Sequence, residues 1–222
     1  MCVKKNSYTF ANQTVGLSIG IKMKDTKEYI LETAFKLFLS KTYKEVTMKE
    51  IVNATGLSKG AFYHYFESKE QLFLDVINDY LIANLRVDYS QFDSSSLQAF
   101  YFDHLNFIDK RISGESIQAF YGKDFTKSDF YSLIFEANKL LPELKATFIE
   151  FDVYKLTTWT NVIQQAKQSG EIKSSMSAEN IAKIFLSIIE STGIREAWGL
   201  NSTGRKERLS ALWDGFYNQL KS

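Results

Sequence analysis

The sequence predicts an all-α protein, and three observations carry that expectation. Apolar residues recur at helical spacing, as in Ile30, Leu31, Ala34, Phe35, Leu37 and Phe38. One Pro and 11 Gly in 222 residues, with 45% hydrophobic residues, leave too few turn formers for a β sandwich. Helix-start signals stand at Thr47-Met-Lys-Glu50 and Ser68-Lys-Glu-Gln71, where a hydroxyl and a Glu or Gln three residues on satisfy free amides.

The elements follow in order. Residues 1–22 carry no periodicity and no capping signal, so they read as a disordered arm or a misassigned start ahead of Met23. The competing reading is an arm that enters the minor groove of DNA. Asp25 and Glu28 cap a first helix. A second starts at Thr47 and turns Ile51, Val52 and Ala54 inward. Thr55-Gly56-Leu57 is a break in which Gly56 takes a positive φ, and Ser58 caps a third helix. A fourth, from Ser68 through Leu72, Phe73, Val76, Ile77, Tyr80, Leu81 and Leu85, runs out of a small domain into a larger one. Further helices are expected over about 95–112, 127–140, 142–168, 177–198 and 203–220. Gly170 and Gly199 end two of them, and Pro142 fits the first turn of the longest. The domains are then 23–70 and 71–222.

Two short helices joined by a Gly-containing turn make a helix-turn-helix, whose second helix enters the DNA major groove. On that helix Phe62 and Phe66, four apart, pack inward. Gly60 and Ala61 let the backbone approach closely, Lys59 reaches a base edge or a phosphate, and Tyr63, His64 and Tyr65 present polar tips. Ser58 opens the helix. Thr47 and Lys69 stand at the starts of the flanking helices, where amides, hydroxyl and ammonium bind phosphate. From residue 24 to residue 69 there are eight Lys (24, 27, 36, 41, 44, 49, 59, 69) against six acids (25, 28, 32, 45, 50, 67). That excess is modest, and two copies of the domain are expected to share the work of binding.

The run Gly60-Ala-Phe-Tyr63-His-Tyr-Phe66-Glu-Ser-Lys69-Glu-Gln-Leu72, with Thr47, Ile51 and Gly56 ahead of it, resembles the DNA-binding half of the tetracycline-repressor (TetR) family of bacterial transcription regulators. The resemblance covers roughly residues 26–75. It implies phosphate contacts for Tyr63 and His64 and base contacts for Lys59 and Gly60. It further implies a ligand cavity in the second domain and a two-fold dimer built from the last two helices.

The second domain is rich in aromatic residues, which fill a core or line that cavity. His104, Phe107, Tyr131, Phe135, Tyr154 and Trp159 are the candidate ligand residues, and they favour an apolar ligand. Phe185, Ile188 and Ile189, then Leu212, Trp213 and Phe216, form apolar stripes that close the domain's own core or pair with a second copy. Only two histidines occur, neither at a trusted metal-ligand spacing. No phosphate loop, Gly-x-Ser-x-Gly elbow or kinase set is present, so no enzyme, metal or cofactor is expected. The lone Cys2 excludes an internal disulfide, and no stretch approaches the ~20 apolar residues of a membrane span, which suits a reducing cytoplasm.

These readings converge on a homodimeric regulator of double-stranded operator DNA, a repressor released by a small-molecule effector. The alternatives are a helical ligand-binding or adaptor protein whose helix-turn-helix no longer reads DNA, and an activator of the same fold.

Overall fold

The computed structural model describes residues 25–112, 126–200 and 204–221, so the arm expected over 1–22 lies outside the described residues. Within them, all regular structure is helical. The helices are α1 (Thr26–Ser40), α2 (Met48–Thr55), α3 (Lys59–Tyr63), α4 (Lys69–Val76), α5 (Leu97–Ile112), α6 (Lys127–Leu140), α7 (Leu144–Gln168), α8 (Ala178–Ala197) and α9 (Arg205–Lys221). Each expected span is present, with ends shifted by one or two residues.

Local chemistry sets the ends. Asp25 accepts from the Lys27 amide at α1, Thr47 from Glu50 at α2, Ser58 from Ala61 at α3 and Ser68 from Gln71 at α4. At α6 the capping box is complete: Thr126 accepts from the Asp129 amide, and Asp129 accepts from Thr126. Gly56 (φ +68°) ends α2 in the left-handed region, where a Cβ would strain the backbone. Pro142 departs from expectation. It sits in the turn before α7, and its carbonyl accepts from the Lys145 amide.

Two cores organise the chain. The first gathers Ile30, Ala34, Phe35 and Phe38 of α1, Ile51 and Val52 of α2, and Phe62 and Phe66 around α3. Leu72, Phe73 and Val76 join it from α4, Ile77 and Leu81 from the residues just beyond it, and Leu133 and Ala137 from α6. The boundary expected at residue 70 therefore falls inside this core, because the apolar face of α4 faces α1 rather than the second domain. Ala54, expected inward, is exposed, and Thr55 is buried in its place with its hydroxyl donating to the Val52 carbonyl (2.8 Å).

Beyond Val76 the fourth helix widens into a π-helical stretch, Ile77–Ile82, and closes with an α-turn, Ala83–Leu85. Within the widened stretch Tyr80 stacks on Phe35 of α1 (4.8 Å between centroids). Such stretches are rare and weaken the regular i→i+4 ladder.

The second core joins α5, α7, α8 and α9 around Phe100, Tyr101, Trp159, Phe185 and Trp213. Polar groups at its edge tie distant elements together. Glu171, in the α7–α8 turn, accepts from the amides of Leu97 (2.9 Å) and Gln98 (3.2 Å), which satisfies free donors at the start of α5. It also accepts from the Tyr217 hydroxyl (2.8 Å).

His104 is buried at 4% exposure, against the expectation of a pocket-lining or partly exposed side chain. Tyr89, Phe92, Trp159 and Trp213 surround it with ring centroids 5.4–5.8 Å away. Burial pushes its pKa down from 6.5 to about 3, with Lys155 adding to the effect. Below pH 6.5 the unfolded chain then binds a proton that the folded chain refuses. Stability is expected to fall as pH drops from about 6.5 towards 3, at up to about 1.4 kcal/mol per unit from this group. Urea unfolding of His104→Phe at pH 7 to 4 should show a flatter pH dependence than the parent, and an unchanged slope would refute this.

Candidate nucleic-acid interface and effector groove

The candidate DNA-contacting surface is built on α3. Phe62 and Phe66 are fully buried in the first core, and this fixes the rotation of the short helix. Ser58, Lys59, Gly60, Ala61, Tyr63 and His64 are left exposed on its outer side, and Thr47 at the start of α2 is exposed as well. Gly60 is informative. Apart from its own helix and chain neighbours, nothing lies within 4 Å of the position a Cβ would take, and its φ is not positive. Neither packing nor backbone conformation demands glycine there.

Two of the expected contact residues are placed differently. Tyr65 is half-buried, packs against the first core and meets His64 edge-on at 5.3 Å. The Lys69 ammonium turns inward, donating to the carbonyls of Tyr43 (2.8 Å) and Val46 (2.9 Å), and lies 4.1 Å from the Tyr43 ring centroid. It braces the loop between α1 and α2. These carbonyls need a donor because they lie between helices, outside any ladder.

That loop is also held from the other domain. The Tyr43 amide donates to the Glu136 carboxylate of α6 (2.9 Å), and the Tyr43 hydroxyl donates to Glu70 (3.0 Å). Burial, followed by that Glu70 bond, pushes the Tyr43 hydroxyl up to about 12.

The six candidate ligand residues do not converge on one cavity. Trp159 is fully buried in the second core and His104 lies within it. Phe135 is 67% exposed on the outer face of α6, since its neighbours Leu133 and Ala137 take the inward face. Phe107 is half-buried beside Phe92 (5.6 Å). Tyr131 packs against α8 so closely that its hydroxyl occupies the space of a Cβ at Gly193. Tyr154 lines a groove of about 230 Å³ with Leu85, Arg86, Val87, Tyr89, Phe148, Phe151, Asp152 and Lys155. Lys155 donates to Glu190 (2.7 Å) and pairs with Asp152 (3.2 Å). Burial acts against its charge, but those carboxylates outweigh burial and hold its pKa above the ordinary value. Leu85–Val87 join this groove because the fourth helix ends there beside α7, which apolar periodicity does not reveal.

Among the six candidate dimer residues, Phe185 and Trp213 are fully buried in the chain's own core, and the Trp213 indole donates to the Phe185 carbonyl (3.1 Å). These two are therefore core residues. Ile188, Ile189 and Phe216 are half-buried, and Leu212 is 53% exposed. Among the described residues no cluster of His, Cys, Asp or Glu suits a metal ion, and no helix is long and apolar enough to cross a membrane.

An exposed, glycine-bearing second helix on a buried aromatic base, carried by a larger helical domain, defines a protein of the helix-turn-helix class. Residues 30–76 match the family model for bacterial regulatory proteins of the tetR family. The N-terminal domain is that of the TetR family of transcriptional regulators. An uncharacterized HTH-type regulator of Bacillus subtilis, YuxN, is 48% identical over 58 residues, which are 26% of this chain. The chain spans about a fifth of the length of the first curated relatives it matches (20% of each). The transcriptional repressor BepR of Brucella suis is 27% identical over 171 residues, covering 74% of this chain and 77% of BepR. The fold is similar to that of MexZ, a repressor from Pseudomonas aeruginosa, with a TM-score of 0.64 at 18% identity over 89% of this chain and 95% of MexZ.

The two lysines are separable by experiment. Lys59→Ala is expected to weaken specific duplex binding by about 1–3 kcal/mol and leave the melting temperature unchanged. Lys69→Met is expected to lower folding stability by about 1–3 kcal/mol, because it strips a donor from two partly buried carbonyls. Fluorescence anisotropy and thermal melts of both variants decide this; an unchanged melt for Lys69→Met would return that residue to the phosphate-binding set.

Proposed function

We propose that the chain is a homodimeric transcriptional repressor that binds operator DNA in the cytoplasm and releases it when a small molecule occupies the helical domain. The observation that carries this reading is the exposed face of α3, where Lys59, Gly60, Ala61, Tyr63 and His64 stand clear above buried Phe62 and Phe66. Lys59 and Gly60 then approach base edges, while Tyr63, His64 and Thr47 hold phosphates. Repressors such as BepR and MexZ among the similar proteins support repression over activation.

The half-buried Ile188, Ile189 and Phe216 and the exposed Leu212 supply the outer apolar stripe of α8 and α9, which suits a self-complementary two-fold contact. The Tyr89–Tyr154 groove is the effector site in this reading. It abuts Leu85–Val87, where the fourth helix ends, so a ligand there pushes on the helix that carries the reading domain. The ligand shifts the equilibrium only by its differential affinity for the two states.

Two outcomes are expected. Duplex binding should be dimeric and weaken steeply with salt, with half-sites about 34–36 Å apart or a multiple of that. A monomer that binds as tightly as the dimer in an anisotropy titration would refute it. Val87→Trp, which fills the groove in place of a ligand, should lower operator affinity by roughly fivefold or more while dimer mass and helicity persist. Parental affinity in that variant would remove the groove from control of DNA binding.

A further inference from the structure

Gly193 stands well inside α8, where glycine is less favourable than alanine, and its φ is not positive. Packing explains it. Outside its own helix and chain neighbours, the atom nearest to where a Cβ would stand is the Tyr131 hydroxyl of α6. Tyr131 Cζ follows at 3.4 Å and Arg205 Nη2 at 3.5 Å. The missing Cβ is a notch, and Tyr131 fills it. A methyl group there would force the hydroxyl to retreat by about an ångström or more to reach ordinary contact. Either the ring leaves the notch or α6 moves, and in both cases the seat is lost.

The notch matters because of what α6 carries. Lys127 and Tyr131, one turn apart on that helix, face α8. Lys127 pairs with Glu196, whose side chain is 1% exposed, and Tyr131 enters over Gly193. Phe130, Leu133, Ile134 and Ala137 turn another face of α6 to the first core. Glu136 accepts from the Tyr43 amide in the loop before α2 (2.9 Å). One helix is thus seated on α8, which supplies Ile188 and Ile189 to the outer apolar stripe, and is also built into the core of the reading domain.

We propose that Tyr131 is a positioning residue for operator binding: seated over Gly193, it holds α6 against α8 and so sets where each reading domain stands relative to the two-fold contact. This role rests on the dimeric, DNA-binding reading above and is separate from the effector groove. Losing the seat moves the two α3 helices relative to each other and leaves the surface of each unchanged. The loss therefore falls on a duplex that engages both copies at once and spares one that engages a single copy.

The test uses a duplex selected from a random pool for tight binding by the parent, and a second duplex carrying one half-site of it. In anisotropy titrations Gly193→Ala is expected to bind the full duplex at least tenfold more weakly and the half-site within twofold of the parent. Tyr131→Phe removes the hydroxyl and leaves Cζ close to van der Waals distance from the added methyl. The double variant should therefore return to within threefold of the parent on the full duplex. Helix propensity alone predicts that Gly193→Ala raises the melting temperature; the notch predicts a fall that Tyr131→Phe reverses. Parental affinity for the full duplex, an equal loss on both duplexes, or a loss that Tyr131→Phe does not reverse overturns the proposal. If Gly193→Ala does not fold, Tyr131→Ala, which empties the notch instead of crowding it, takes its place. The same loss on the full duplex with the half-site spared is expected, and parental affinity overturns the role. A parent chain that binds no duplex sinks the DNA reading and this role together, whereas a parent that binds beside a folded variant that binds equally sinks this role alone.

Discussion

The packing of α1 is the constraint on which the rest of the molecule depends. Its inward face, Ile30, Ala34, Phe35 and Phe38, is fully or nearly fully buried and is covered by three different partners. Phe38 meets Phe73 edge-on at 4.9 Å, Phe35 stacks on Tyr80, and Leu133 and Ala137 of α6 complete the cluster. A helix of this size does not hold its shape alone in water; its stability comes from burying that face. The helix-turn-helix and the helical domain therefore share one core, and neither can shift without disturbing contacts that the other needs.

That sharing gives a physical route between the domains. The fourth helix crosses from one to the other through its widened stretch at Ile77–Ile82, and α6 reaches back through Glu136 to the Tyr43 amide. The Lys69 ammonium holds the neighbouring carbonyls of the same loop. A close-packed interior passes on displacements rather than absorbing them. The aromatic groove lies beside Leu85–Val87, where the fourth helix ends.

The helical domain also holds charge that its composition does not announce. Glu196, Lys127, Arg205 and Arg208 bring buried charge into a domain that its composition presents as aromatic and aliphatic. The partners come from α6, α8 and α9, and Lys127 and Glu196 stand 69 residues apart. No local pattern announces such a cluster.

By itself the sequence determined what depends on neighbours along the chain. Helix spans followed from apolar spacing; their starts followed from Asp25, Thr47, Ser58 and Ser68, which reach only their own first turns. The reading helix was legible for the same reason, since Phe62 and Phe66 at a four-residue spacing set which side Lys59, Gly60 and Tyr63 must face. Tertiary structure decided whatever depends on which face meets which partner. Trp159, Phe185 and Trp213 became core because α5, α7, α8 and α9 close on them from every side, while Phe135, equally aromatic, was left outside because Leu133 and Ala137 claimed the inward face of α6. Lys69 went to carbonyls instead of solvent because the loop before α2 passes beneath it. Composition sets how many apolar and charged side chains there are. Only the packing of distant helices decides which of them are covered, and with them where a ligand finds room.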